Sequence, residues 1–314
     1  MQVHKDLEHL PVFRKAVITI GTFDGVHLGH RQIISRLLST AKDIGGESVI
    51  ITFHPHPRKV IASSHPIRLI NTLEEKIQLL DGLGVDHLVV VAFTDAFSNQ
   101  DASEYIRHFL VERFAPHTII IGYDHRFGKE RKGDYLLLEK FAPIFDYELQ
   151  EIPKHVLDEI SISSTNIRQA LNNGEVEAAN RLLGYDFFFT GKVIDGDKLG
   201  RTLGYPTANL EIGEPEKIIP GDGIYAVLAR LGQVNPVPGH SLLKGMMSIG
   251  FRPTVGGTKR VIEVNLFDFD SSIYGQQLTV YVKAFLRKEA KFDSLEMLVS
   301  QIDKDKISSL ERLK

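Results

Sequence analysis

Two histidines, His27 and His30, stand three apart in the string Gly21-Thr22-Phe23-Asp24-Gly25-Val26-His27-Leu28-Gly29-His30. At a helix start that spacing puts both imidazoles on one face. The free amides and dipole of a helix N-terminus favour an anion, and the imidazoles add donors to the same spot. Gly21, Gly25 and Gly29 let the backbone approach a ligand closely. A second string runs from Gly191 to Asn209 and reads Gly-Lys-Val-Ile-Asp-Gly-Asp-Lys-Leu-Gly-Arg-Thr-Leu-Gly-Tyr-Pro-Thr-Ala-Asn. Gly196, Gly200 and Gly204 fit a mobile loop close to phosphates. It is not a Walker A loop, because the sequence contains no G-x-x-x-x-G-K-[ST]. Thr207 and Asn209 are two apart, so in an extended segment they face the same way. Their neutral oxygens suit Mg²⁺, which keeps several waters and also binds phosphate oxygens.

The elements that must position these residues follow from the apolar pattern. Val17 to Ile20 reads as a buried strand entering the glycine-rich turn, and His30 to Ile44 as the helix leaving it. Ser48–Phe53, Leu88–Phe93, Thr118–Gly122 and Phe145–Glu151 read as four further strands. Thr72–Leu83 reads as a helix opened by a capping box, Thr72 with Glu75. Over Asp101–Phe114, residues Tyr105, Ile106, Phe109, Leu110 and Phe114 form one apolar face. Strands alternating with helices predict a parallel sheet with helices on both faces, whose ligands bind beyond the carboxyl ends of the strands. Short helices are expected at Ser164–Asn172 and Glu175–Leu183. Beyond Tyr185 the pattern becomes strands and turns: Phe187–Ile194, Gly223–Ala229, Leu243–Ile249, Arg260–Phe267 and Leu278–Leu286. That predicts a small antiparallel barrel. A last helix follows Phe292, with Asp293 and Glu296 as a capping box and Leu295, Leu298, Val299 and Ile302 as its apolar face.

Bulk properties exclude several classes. At 314 residues, two domains are the natural expectation. The net charge of −3 gives no sign of nucleic-acid binding. The absence of cysteine removes disulfides, thiolate metal sites and cysteine nucleophiles. Met1 to Arg14 is charged throughout, unlike a signal peptide. No apolar run approaches a membrane span, so a cytoplasmic protein is expected.

The motif H-x-G-H after G-x-F-D-G resembles the nucleotidylyltransferase superfamily, in the longer form of its FMN adenylyltransferase branch. Three more segments agree: Thr52-Phe53-His54-Pro55-His56-Pro57, Gly122-Tyr123-Asp124-His125-Arg126-Phe127-Gly128 and Ile162-Ser163-Ser164-Thr165-Asn166-Ile167-Arg168. Singly each has a plain explanation, such as prolines stiffening a loop or Ser164 as a helix cap. In order, they match the bacterial FAD synthetase pattern. The string G-R-x-L-G-Y-P-T-A-N resembles the riboflavin kinase family. Its further marks are Asp222–Ala226 as a core strand, Ser248–Thr254 as a turn segment, Ile262–Phe269 and Phe285–Glu289.

The resemblance spans residues 14 to 302. It implies a Rossmann-like nucleotidyltransferase domain over 1–184, then a six-stranded kinase barrel with a terminal helix over 185–314. It implies ATP as co-substrate, riboflavin, FMN and FAD as substrates and products, and Mg²⁺. His27 and His30 would hold ATP phosphates within a pocket that includes Gly21, Phe23, Asp24, Gly25 and His54. Ser164, Thr165 and Arg168 would receive the β- and γ-phosphates, and Asp124 would shape the flavin or nucleotide pocket. In the second domain Glu263 would be the general base, Thr207 and Asn209 the magnesium ligands, Gly196, Gly200 and Arg201 part of the phosphate loop, and Arg287 a flavin or nucleotide contact. A glutamate on a strand more commonly faces solvent, and only the surrounding string overturns that for Glu263. Ser248 and Asn265 depart from the family, which often has asparagine and histidine there.

Two rivals remain at this level. One is a nucleotidyltransferase acting on another phosphorylated acceptor. The other is a flavin-binding regulatory protein without turnover.

Overall fold

The computed structural model describes residues 1–61, 67–152, 162–196, 199–232, 242–254 and 257–314. They form two compact units, one of residues 1–67 and 73–163, the other of 68–72 and 164–314.

The first unit is built on a six-stranded sheet of β1 (Gln2–His4), β2 (Val17–Ile20), β3 (Ser48–His54), β4 (His87–Ala92), β5 (Thr118–Gly122) and β6 (Glu148–Ile152). The spatial order is β1-β4-β3-β2-β5-β6, and every pair is parallel. Both faces are covered, which is why the inner strands read as continuous apolar runs. Alternate residues serve opposite cores. Ile18, Val49, Ile51 and Ile119 pack into one, and Val17, Ile50, Leu88 and Ile120 into the other. Strand order reverses between β2 and β5, so the crevice beyond their carboxyl ends is the switch point where such sheets bind ligands. Gly21 follows β2 there, and β5 ends on Gly122.

Several elements differ from the sequence expectation. The strand expected from Phe145 begins at Glu148, because Tyr135–Phe145 is a helix. Asp134 caps that helix by accepting from the Leu137 N–H at 3.1 Å, and Asp146 ends it in the left-handed region. The stretch from Ala102 to Phe114 is helical, but Tyr105–Val111 within it is a π-helix. One extra residue per turn brings Tyr105, Ile106, Phe109, Leu110 and Phe114 together in a single core.

The second unit opens with helices Ser164–Asn172 and Val176–Leu183. A closed barrel follows: β7 (Phe188–Ile194), β8 (Ala208–Glu211), β9 (Gly223–Leu231), β10 (Leu243–Thr254), β11 (Gly257–Leu266) and β12 (Gln277–Arg287). Its order is β10-β11-β8-β7-β12-β9, all pairs antiparallel. The turn expected over Ser248–Thr254 is strand, part of β10. Asn180 fastens the helices to the barrel, donating to the Val282 carbonyl and accepting from the Phe187 N–H. The C-terminal helix is Leu295–Arg312, and its cap is Ser294 rather than Asp293, since the Ser294 hydroxyl accepts from the Met297 N–H.

Candidate active sites

In the first unit, His27 occupies the N-cap of helix α1 (Leu28–Ile44), where its Nδ1 accepts from the His30 N–H at 3.3 Å. The two imidazoles stack with centroids 3.6 Å apart and planes 14° from parallel. Phe23 meets the His30 ring edge-on at 5.2 Å. A Cβ on Gly29 would sit 3.3 Å from the His27 ring, close enough that the ring would have to shift by a few tenths of an ångström. Phe23 and Val26 hold left-handed backbone, φ 46° and 35°, unusual for bulky side chains. Such strain persists where the surroundings over-determine it, and costs on the order of 1–3 kcal/mol per residue. Here both side chains are buried, as is Asp24.

The His30 ring is held well below the usual histidine range, first by burial, then by the charges of His27 and Lys76. It is neutral at pH 7. Its Nδ1 is enclosed and has no hydrogen-bond partner among the described residues. A buried polar atom left open needs an explanation, and an acidic or anionic ligand group supplies one. Lys76 was not foreseen. It lies in helix Leu73–Gly82, is 7% exposed, and its ammonium donates to the Thr22 carbonyl at 2.6 Å.

His54 ends β3 and is exposed, and Asp124 is exposed in the turn after β5. The structure thus gathers Gly21, Phe23, Asp24, Gly25, His27 and His30 in the turn and first helical turn after β2, with His54 ending one flanking strand, β3, and Asp124 just beyond the other, β5. Ser164 and Thr165 open a helix of the second unit. Arg168, in the same helix, donates from Nε to the Arg68 carbonyl at 2.7 Å.

In the barrel, β8 places Asn209 directly opposite Glu263 of β11. Thr207 and Asn209 are half-buried, whereas Ala208 and Leu210 between and beyond them are buried, so the expected common face is observed. Gly196 lies against Asn209, where any Cβ would overlap the amide, and Gly200 lies beside Thr207. The glycine loop and the two oxygen-bearing residues therefore form one constellation. Arg201 and Thr207 help line a cleft of about 370 Å³, with Val193, Pro206, Phe269 and Tyr274.

Asn265 is one of the two departures from the family pattern. It is buried, and its amide donates to the Pro206 carbonyl at 2.7 Å, one residue before Thr207. Asn265→Leu removes that bond. We expect a loss of about 1 kcal/mol, read as a lower midpoint of thermal unfolding.

Glu263 is partly shielded, with Arg252 3.8 Å from its carboxylate; Arg252 is itself held by Glu289 at 3.1 Å. From the sequence Arg252 reads only as part of a turn. A second cleft, about 600 Å³, is bounded by Ser248, Arg252, Arg287, Phe292, Leu298 and Ile302. Leu295, expected on the packed face of the last helix, is 58% exposed at this cleft. Arg287 borders it too, but its guanidinium is committed to Asp305, with Nε and Nη2 at 2.8 and 2.6 Å from the two carboxylate oxygens. No group of three or more histidine, aspartate or glutamate side chains suited to a metal occurs among the described residues. The Thr207–Asn209 pair fits magnesium brought with phosphate oxygens, which needs no full protein cage.

A parallel sheet with a histidine-bearing turn at its switch point, followed by a closed barrel with a glycine loop, is an arrangement that fits a two-domain transferase. A family profile described as FAD synthetase matches residues 10–166, and one described as riboflavin kinase matches 183–313. Relatives named bifunctional riboflavin kinase/FMN adenylyltransferase include that of Listeria monocytogenes, 38% identical over 92% of this chain and 90% of its own. That of Bacillus subtilis is 37% identical over 93% and 90%, and that of Escherichia coli K12 is 35% identical over 94% and 92%. A solved structure from Streptococcus pneumoniae, described as a macrolide-efflux protein, superposes with a TM-score of 0.87 at 30% identity over 98% of both chains. No helix among the described residues is long and apolar enough to cross a membrane. The chain belongs to the bifunctional riboflavin kinase/FMN adenylyltransferase family.

Proposed function

We propose that this chain phosphorylates riboflavin to FMN with ATP in residues 185–314, and adenylylates FMN to FAD in residues 1–184. The observation that carries the reading is the direct pairing of Glu263 with Asn209 beside the glycine loop. With the Glu263 carboxylate opposite Asn209, the pairing supports a role for Glu263 as the base beside a metal-bound phosphate.

Riboflavin's 5′-hydroxyl is a neutral alcohol and must lose its proton as it attacks the γ-phosphate. Glu263 accepts that proton, and ADP leaves. Thr207 and Asn209 would hold Mg²⁺, which when bound neutralises charge on the phosphate oxygens. Gly196, Gly200 and Arg201 enclose the nucleotide phosphates. The half-apolar cleft bounded by Phe292 and Leu298 suits the isoalloxazine ring. Arg287 fixes the wall of that cleft through Asp305.

Adenylyl transfer needs no base. The FMN phosphate is largely dianionic at neutral pH, with a second pKa of about 6. It attacks the α-phosphate of ATP, and pyrophosphate leaves. The protein's work is alignment and charge neutralisation. His27 and His30 grip ATP phosphates at the α1 N-terminus, within the turn formed by Gly21, Phe23, Asp24 and Gly25. His54 and Asp124 border the pocket. Both substrates are soluble metabolites, so the reading places the protein in the cytoplasm, with ATP and flavins as its partners.

The test is to incubate the purified chain with riboflavin, ATP and Mg²⁺ and follow flavins by chromatography. FMN should appear first and FAD after it, with flavin fluorescence falling as adenine stacks on the ring. Flavin binding without either product would reject the proposal.

A further inference from the structure

Lys76 is a buried cation that the proposed reactions leave unused. Its ammonium donates to the Thr22 carbonyl at 2.6 Å and lies 3.4 Å from the Thr52 hydroxyl. Thr52 itself donates to the same carbonyl at 3.2 Å. Thr22 opens the turn whose next residues include the left-handed Phe23 and Val26. Two donors therefore converge on one carbonyl at the root of a strained loop. An ammonium has three N–H groups, and among the described residues the third has no hydrogen-bond partner beyond these two oxygens.

The charge near Lys76 is equally specific. Asp24 attracts it, and its field reaches His30, which His27 also faces. Burying a lysine is costly unless it is paired. Helix Leu73–Gly82 could have presented an apolar residue to the Thr22 carbonyl side of its packing at no such cost.

We infer that Lys76 is a positioning residue for adenylyl transfer: its ammonium clamps the Thr22 carbonyl, and through it the turn that carries His27 and His30, while setting a fixed positive charge beside that pair. The inference rests on the proposed FMN adenylyltransferase reading. Two consequences follow. The clamp keeps the phosphate-binding amides in register as substrate arrives. The charge opposes protonation of His30, so the imidazole meets the nucleotide as a neutral donor. Burial lowers the lysine to about 8, so the clamp loses its charge as pH rises through that value.

The experiment uses the full chain, with riboflavin phosphorylation as an internal control on the same molecules. Lys76→Met should lower kcat for FMN adenylylation by about 10²-fold, the scale of a misplaced reacting group. Riboflavin phosphorylation should be unchanged. Wild-type adenylylation should fall above about pH 8, whereas Lys76→Arg, which keeps its charge, should retain most activity and lose that alkaline fall. Near-full adenylylation by Lys76→Met would overturn the proposal. So would a parallel loss of both reactions, the mark of a merely structural lysine. Should Lys76→Met fail to fold, an alkaline limb unmoved in Lys76→Arg would overturn it alone. A wild-type chain that makes FMN but never FAD would instead sink the adenylyltransferase reading.

Discussion

Replacing Glu263 with glutamine should lower riboflavin phosphorylation by roughly 10²- to 10⁴-fold, the usual contribution of a positioned general base. Conversion of supplied FMN to FAD should proceed at the wild-type rate. The substitution keeps size and strand register opposite Asn209, and removes the negative charge and with it the capacity to take a proton. Arg252 does not become an uncompensated cation, because Glu289 still holds it at 3.1 Å. The loss should therefore fall on kcat, with riboflavin and ATP still binding. Chromatographic rates with riboflavin and with FMN as alternative starting flavins provide the check. Near-full phosphorylation by Glu263→Gln would exclude this carboxylate as the base.

His27→Ala should have the complementary effect. FAD formation drops by about 10²- to 10³-fold, the scale of losing one preorganised donor to developing charge, and FMN accumulates. His27 also caps α1 through its Nδ1, so alanine costs about 1 kcal/mol of stability as well. His27→Asn separates the two roles, since asparagine is a good cap but cannot stack on His30. That variant should melt near the wild-type temperature and still fail to quench flavin fluorescence with FMN, ATP and Mg²⁺. Normal quenching by either variant would remove His27 from the site.

Sequence pattern reached most of this architecture, and the misses have physical causes. The inner strands β2 to β5 were legible because burial on both faces demands unbroken apolar runs. Helix Tyr135–Phe145 was not, because Leu136, Leu137 and Leu138 in succession give no helical period and Pro143 interrupts its last turn. β8 is four residues long and reads as the tail of a glycine loop. Its role as the strand that holds Asn209 against Glu263 exists only in the register. Lys76 follows Glu74 and Glu75 in a charged helix start, which reads as a solvated face. Its burial comes from where β2 and β3 end, a long-range fact that local composition does not encode. The histidine turn was legible for the opposite reason: glycines, a cap and two imidazoles are all local requirements of the same bend.

The two sheets also differ in their borders. The barrel closes on itself, so its backbone offers no free margin to another chain. The parallel sheet ends on β1 and β6. One of these is only three residues long, and the other carries exposed Glu148 and Glu151. Brevity on one flank and acidic side chains on the other discourage strand-to-strand stacking of neighbouring molecules. If those glutamates were made valine, turbidity on gentle heating should arise from the sheet unit while the barrel still phosphorylates.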